Sequence, residues 1–238
     1  RRSWQRNAIL GVAAVVVIAM VFAVGRWMRP GSSGSLATRV YPRTTIAVLP
    51  LRNLTTDSAN AFFAGGLHDV ILTQLSTIAS LTVIGQASVL GYAGKVTPLK
   101  QVASETGAGT IMEGTVQVVG GRLRVNVQLV DVATGRTIWG SPYDRTLDDA
   151  FAIQSDIAQK LVAAVGARLT SGEQQGLATA PTSNPEPYQL YLQGLEYRRR
   201  VGYMRQDYEI AQRFFERSVA IDPGFALAHV ALAGVHGG

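Results

Sequence analysis

The 238-residue sequence predicts an α/β fold, in the order βαβαβββα with a mixed sheet, flanked by an N-terminal transmembrane helix and a C-terminal all-α segment. Three observations predict it. Residues 8–24 are an uncharged apolar run. Residues 44–170 switch between two-residue alternation and three- to four-residue spacing. Residues 187–238 hold helical spacing alone. The organisation that follows is a membrane helix with basic flanks (1–29), a flexible linker (30–43), the α/β domain (44–170), a second linker (171–186) and a truncated helical segment (187–238).

The apolar run, AILGVAAVVVIAMVFAV, is seventeen residues long. At about 1.5 Å per residue it makes roughly 26 Å of helix, near the hydrocarbon thickness of a bilayer. Trp4 and Trp27 stand just outside it, where indoles favour the headgroup region. A secretory signal would have a shorter core and a small-residue cleavage site, whereas Arg-Trp-Met-Arg-Pro follows here. The net charge of +6 resolves in the same way. Residues 1–43 hold seven arginines and no acid, leaving 15 bases against 16 acids in the remainder. The basicity therefore belongs to the membrane flanks, and no nucleic-acid partner is expected in this chain. With no cysteine, disulfides, thiolate metal sites and cysteine nucleophiles are excluded.

Thr44–Leu51 (TTIAVLPL) is a nearly continuous apolar run, the pattern of a strand covered on both faces. Phe63, Leu67, Val70, Ile71, Leu75 and Ile78 then repeat at helical spacing. Leu81–Ile84 is a second short strand. Thr97-Pro98 supplies a cap and a first-position proline for a helix that Gly107 ends. Thr110–Val119 leads into Gly120-Gly121, a two-residue hairpin signal. Leu123, Val125, Val127 and Leu129 then alternate with Arg122, Arg124, Asn126 and Gln128, a half-buried antiparallel strand. A turn at Ala133–Arg136 returns the chain as Thr137–Tyr143. Pro142 cannot donate to a ladder, so this strand belongs at an edge or ends in a bulge there. Thr146-Leu-Asp-Asp149 opens a last helix, acidic in its first turn, with Phe151, Ile157, Leu161, Val165 and Leu169 as its inner stripe.

Several of these segments carry a resemblance. Ile46-Ala-Val-Leu-Pro-Leu-Arg-Asn-Leu54, Phe62-Phe-Ala-Gly-Gly-Leu67, Glu113-Gly-Thr-Val116, Val127-Gln-Leu-Val-Asp131-Val-Ala-Thr-Gly135 and Tyr143-Asp-Arg145 through Asp156 stand in one order. Together they are similar to the amino-terminal domain of TolB and its relatives. Leu51 departs from the phenylalanine usual there and keeps the apolar role. In the tail, Ala211, Phe215, Ser218 and Pro223 stand at the spacing of the second helix of a tetratricopeptide repeat. His229, Leu232, Ala233 and His236 match the next repeat's first helix, and Gly194 and Tyr197 the same positions of the earlier one. One and a half repeats cannot bury a solenoid core, so the chain reads as a fragment at both ends.

The search for chemistry finds no catalytic constellation. His68-Asp69 could serve a hydrolytic site, with Asp69 orienting the histidine, but a surface polar pair on a helix is the ordinary reading. His229 and His236 are seven residues apart, beyond chelating spacing, and read as packing positions. Gly107-Ala-Gly109 follows a helix and precedes a strand, the reverse of a dinucleotide-binding turn. Arg198, Arg199 and Arg200 are a candidate surface for an acidic partner, set against a solvated helix end. No cofactor and no metal are expected. Partners would be proteins, through the repeats and the α/β domain, and the bilayer, through residues 8–24. The repeats also offer a route to homo-oligomers.

The resemblance implies a non-catalytic, membrane-anchored sensory and protein-interaction region of a bacterial signalling protein. The chain would cross the inner membrane once and place residues 30–238 in the periplasm. Such regions sit behind a cytoplasmic serine/threonine kinase, an adenylate cyclase or a winged-helix regulator, and the wording of the first helix leans toward the kinase. The rivals are a purely structural envelope scaffold and a hydrolase using His68 and Asp69.

Overall fold

Strict alternation in residues 122–128 becomes the centre of an antiparallel ladder. In the computed structural model, which describes residues 41–56, 60–200 and 205–236, β4 (Thr110–Val119), β5 (Arg122–Asp131) and β6 (Arg136–Thr146) pair antiparallel. Gly120 and Gly121 turn the β4–β5 hairpin with φ of 57° and 74°, the left-handed pair that a tight hairpin needs. β1 (Thr45–Val48) runs parallel to β4 on one side and to β3 (Thr82–Val83) on the other. Beyond β1, the two-residue β2 (Arg52–Asn53) also pairs in parallel with β4. The sheet order is β3-β1-β4-β5-β6, so the expected mixed sheet is present and β6 lies at its edge. Pro142 is tolerated there, opposite Asn126, while the ladder's irregularity falls at Leu129/Val130 rather than at the proline.

One face of the ladder is apolar. Val116, Val118, Leu123, Val125, Val127 and Leu129 are buried, in one cluster with α1 (Phe62–Ser76) and α4 (Ala150–Ala164). Each fully buried valine or leucine contributes about 1.5–3 kcal/mol. Thr146 and Asp149 form a capping box on a short 3-10 turn that starts α4. On the opposite face, α2 (Gln86–Leu90) and α3 (Leu99–Thr106) cover only the β1 end, through Val89, Val102, Ala103 and Ile111. Elsewhere that face carries exposed Arg122, Arg124, Asn126 and Gln128.

Four expectations need correction. The short α2 and β2 are additions to the βαβαβββα order. Pro98 itself caps α3, and the helix starts one residue later, at Leu99. Within the expected 171–186 linker, Ser171–Ala178 form a helix, α5, started by a Thr170–Glu173 capping box and held by buried Leu177. Tyr41–Arg43, expected as linker, are seated on the sheet. Pro42 accepts the Thr45 amide at 2.9 Å, and the Arg43 carbonyl accepts the Thr110 hydroxyl at 2.8 Å. The Arg43 guanidinium meets the buried Asp131 carboxylate.

The membrane helix expected within residues 1–29 and the linker as far as residue 40 lie outside the described residues. Among the described residues no helix is long and apolar enough to cross a membrane.

The tail forms α6 (Pro185–Arg199), α7 (Arg205–Ile221) and α8 (Ala226–His236). Asn184 caps α6, and Pro185 occupies its first turn. Leu192, Leu195, Phe215 and Phe225 belong to the same buried cluster as the sheet and α1, so no solvent layer separates the helical tail from the α/β part.

Candidate functional site

Two clefts lined by polar groups lie where β1 runs out. Leu49-Pro50-Leu51 carries the chain from β1 to β2, beside the start of α1 and under the 92–97 loop. One cleft, of about 490 Å³, is lined by Asn53, Gly65, Glu196 and Arg199 among others. The second, of about 360 Å³, is lined by Lys95, Glu113, Asn126 and Gln128 among others. Both include Pro50 and Arg52, so the two clefts flank the β2 edge, one on the side of α1 and the other on the side of Asn126 and Gln128; together they are termed the groove.

Gly65-Gly66 shapes one wall by letting α6 land on α1. A Cβ on Gly66 would stand 2.9 Å from the Leu192 Cβ and 3.0 Å from the Leu192 carbonyl oxygen. On Gly65 it would meet the Glu196 carboxylate and the Arg199 guanidinium, which pair with each other at 2.6 Å. Arg199 Nε is buried and makes no hydrogen bond. The Gly-Gly step is therefore a docking surface for a helix, a role that no periodicity in the sequence marks.

His68 and Asp69 are buried, which corrects the expected surface pair. His68 Nδ1 faces Asp69 Oδ1 at 3.2 Å, and its Nε2 faces the Val48 carbonyl oxygen at 3.0 Å. Asp69 also accepts from the Gln86 amide. The pair ties α1 to β1 and α2. Nε2 is turned to a backbone carbonyl and the ring is 1% exposed, while His68 is also among the residues at the base of the larger cleft. Nearby, burial pushes the Tyr191 hydroxyl up to about 12, with Arg198 offsetting and Asp69 adding to the effect. Tyr191 lies between α6 and the buried rings of Phe215 and Phe225, 6.0 and 5.3 Å away between centroids.

The helical positions singled out in the sequence divide into two groups. Gly194, Ala211, Phe215 and Ser218 meet at the α6–α7 contact. A Cβ on Gly194 would stand 2.7 Å from two ring carbons of Phe215, so only glycine permits this approach. Ser218 donates to the Pro187 carbonyl at 2.9 Å, and Tyr197 stacks on Phe214 at 5.6 Å. The α8 positions behave differently. His229, expected to pack, is exposed, with Nε2 2.9 Å from the Pro223 carbonyl oxygen. Leu232 is half-buried and Ala233 exposed, because α8 turns Ala228, Ala231 and Val235 inward instead. The side chain of His236 lies outside the described residues.

Of the three arginines, only Arg198 lacks a carboxylate within 4 Å among the described residues. Arg199 holds Glu196, while Arg200 pairs with Asp207 at 3.6 Å and lies 3.9 Å over the Tyr197 ring. Sequence reasoning missed Arg52 and Lys95, which stand singly in the chain and carry no motif. No group of three or more potential metal ligands occurs among the described residues.

Comparison with known proteins adds one relative and a set of distant folds. No family profile matches the chain. It is 34% identical over 191 residues to a Rhizobium meliloti (strain 1021) protein named "Putative adenylate cyclase 3", which takes in 80% of this chain and 32% of that one. The chain thus spans about a third of its relative's length. Among solved structures, TolB from Acinetobacter baumannii is 15% identical, with a TM-score of 0.39 over 51% of this chain and 28% of TolB. The LpoB C-terminal domain from Salmonella enterica is 20% identical, with a TM-score of 0.35 over 48% and 91% of the two chains. Lipoprotein GNA1162 from Neisseria meningitidis is 18% identical, with a TM-score of 0.37 over 53% and 99%.

Proposed function

We propose that residues 41–238 are the non-catalytic sensory and protein-interaction region of a membrane-anchored bacterial signalling protein whose effector lies outside this chain. The observation that carries this reading is the unequal coverage of the cyclase-named relative. Four-fifths of this chain aligns to less than a third of that protein, which leaves room there for a separate catalytic part. The same likeness favours a nucleotide cyclase over the kinase context that the first helix's wording suggested. Residues 8–24 would anchor the chain, and residues 30 onward would face the periplasm. The close α6–α7 pair, built on Gly194 and Phe215, supports a tetratricopeptide-like start to a longer scaffold.

The coding sequence upstream of Arg1 is the first test. A nucleotide cyclase domain is expected, and a start codon immediately before Arg1 overturns the reading. In that longer protein, removing residues 41–238 should change cyclic nucleotide output while the cyclase stays folded. Unchanged output sinks the sensory role. A reporter active only in the periplasm, fused after Ser35, should be active; a silent fusion reverses the topology.

A further inference from the structure

We propose that the groove across β2 binds an extended acidic peptide segment, which adds as a strand to the free edge of β2. Four observations converge on this. Among the described residues β2 has one sheet neighbour, β4, so its other side offers unpaired backbone inside the groove. Arg52 and Lys95, both exposed, have no carboxylate within 4 Å among the described residues. Of the groove's acids, Glu196 is paired with Arg199, and Glu113, hydrogen-bonded to the Gln128 amide, keeps its charge, so Arg52, Lys95 and Arg199 outweigh the two carboxylates by one. The unbalanced charge of the groove is therefore positive and calls for carboxylates. Finally, Leu54 and Val96, 49% and 94% exposed, follow the two cations by two residues and one residue and are among the exposed large apolar side chains of the molecule. A strand presents alternate side chains to one face, about 6.6 Å apart. A peptide with acidic residues at alternate positions can therefore offer its carboxylates from one face to Arg52 and Lys95.

The proposal rests on reading this region as a protein-binding module. The probe is a capped, fluorescein-labelled heptapeptide alternating valine with aspartate, titrated against the full 238-residue chain in mild detergent and read by fluorescence polarisation. Saturable binding is expected, at least tenfold tighter than for the same peptide with lysine in place of aspartate. The double variant Arg52→Glu with Lys95→Glu should reverse that preference, with its circular dichroism unchanged. Backbone N-methylation of the peptide should weaken binding at least tenfold, a readout that requires no protein variant. Equal binding of both peptides, indifference to N-methylation, or displacement by equimolar inorganic phosphate would each overturn the proposal, the last in favour of a small-anion site. If the peptide fails while residues 41–238 still alter the effector's output, the groove assignment falls and the sensory reading stands.

Discussion

Helices α6 and α8 come from the same short tail and differ most in what surrounds them. α6 buries Tyr188, Tyr191, Leu192, Gly194 and Leu195 between α1 on one side and α7 on the other. α8 buries Ala228, Ala231 and Val235, and leaves Val230 71% exposed. A helix covered on two sides couples its neighbours, whereas among the described residues α8 has contacts on one side alone. The boundary that composition suggests near residue 187 is therefore a short break between two helices within one continuous core.

The severest way to break this contrast is Phe215→Ala, which empties the ring from the α6–α7 contact. A loss of about 3–5 kcal/mol is expected in urea denaturation. Because the core is shared, hydrogen exchange should accelerate in β5 as well as in α7. Unchanged protection of β5 would show that the tail opens by itself. Gly66→Ala comes next. Overpacking against Leu192 costs about 1–3 kcal/mol, partly offset by about 1 kcal/mol of helix propensity. Gly65→Ala should be milder, since its neighbours are the movable ends of Glu196 and Arg199.

A smaller effect tests the far end of the sheet. Burial alone would raise the Asp131 carboxyl, but the Thr134 amide and hydroxyl and the Arg43 guanidinium together hold it below the usual carboxylate range. A depressed folded value means stability that is present above the unfolded value, about 3.9, and lost as pH falls through the folded value. Asp131→Asn should flatten the loss of stability below about pH 4, measured as the urea midpoint against pH. The least effect is expected from Val230→Lys on the open face of α8, within about 0.5 kcal/mol. A larger loss would mean that this face is covered.

Local patterns explain what the sequence made legible. The alternation around Val125, the Gly120-Gly121 turn and the Thr146–Asp149 box are each decided within a few residues, and the structure agrees with them. The α5 helix was equally readable, since Thr170 and Glu173 have capping-box spacing. Burial of His68 was not, because the depth of a helical polar residue depends on which elements cover it, here β1 and α2. The inward face of α8 was also hidden. Repeat spacing assumes a helix on the side of His229 and Ala233, while the described contacts lie on the side of Ala228 and Ala231. Arg52 and Lys95 line one cleft only because the β1–β2 line passes beneath the 92–97 loop.

The seating of Tyr41–Arg43 has a mechanical consequence. Two backbone-anchored hydrogen bonds and the Arg43–Asp131 pair join the incoming chain to β1, β4 and the end of β5. Tension applied at residue 41 along β1 loads the parallel hydrogen bonds to β3 and β4 in shear, so they resist together. A pull at residue 236 instead peels α8 from one face, a few contacts at a time. The molecule is stiff where it receives the chain from residue 40 and compliant where α8 ends.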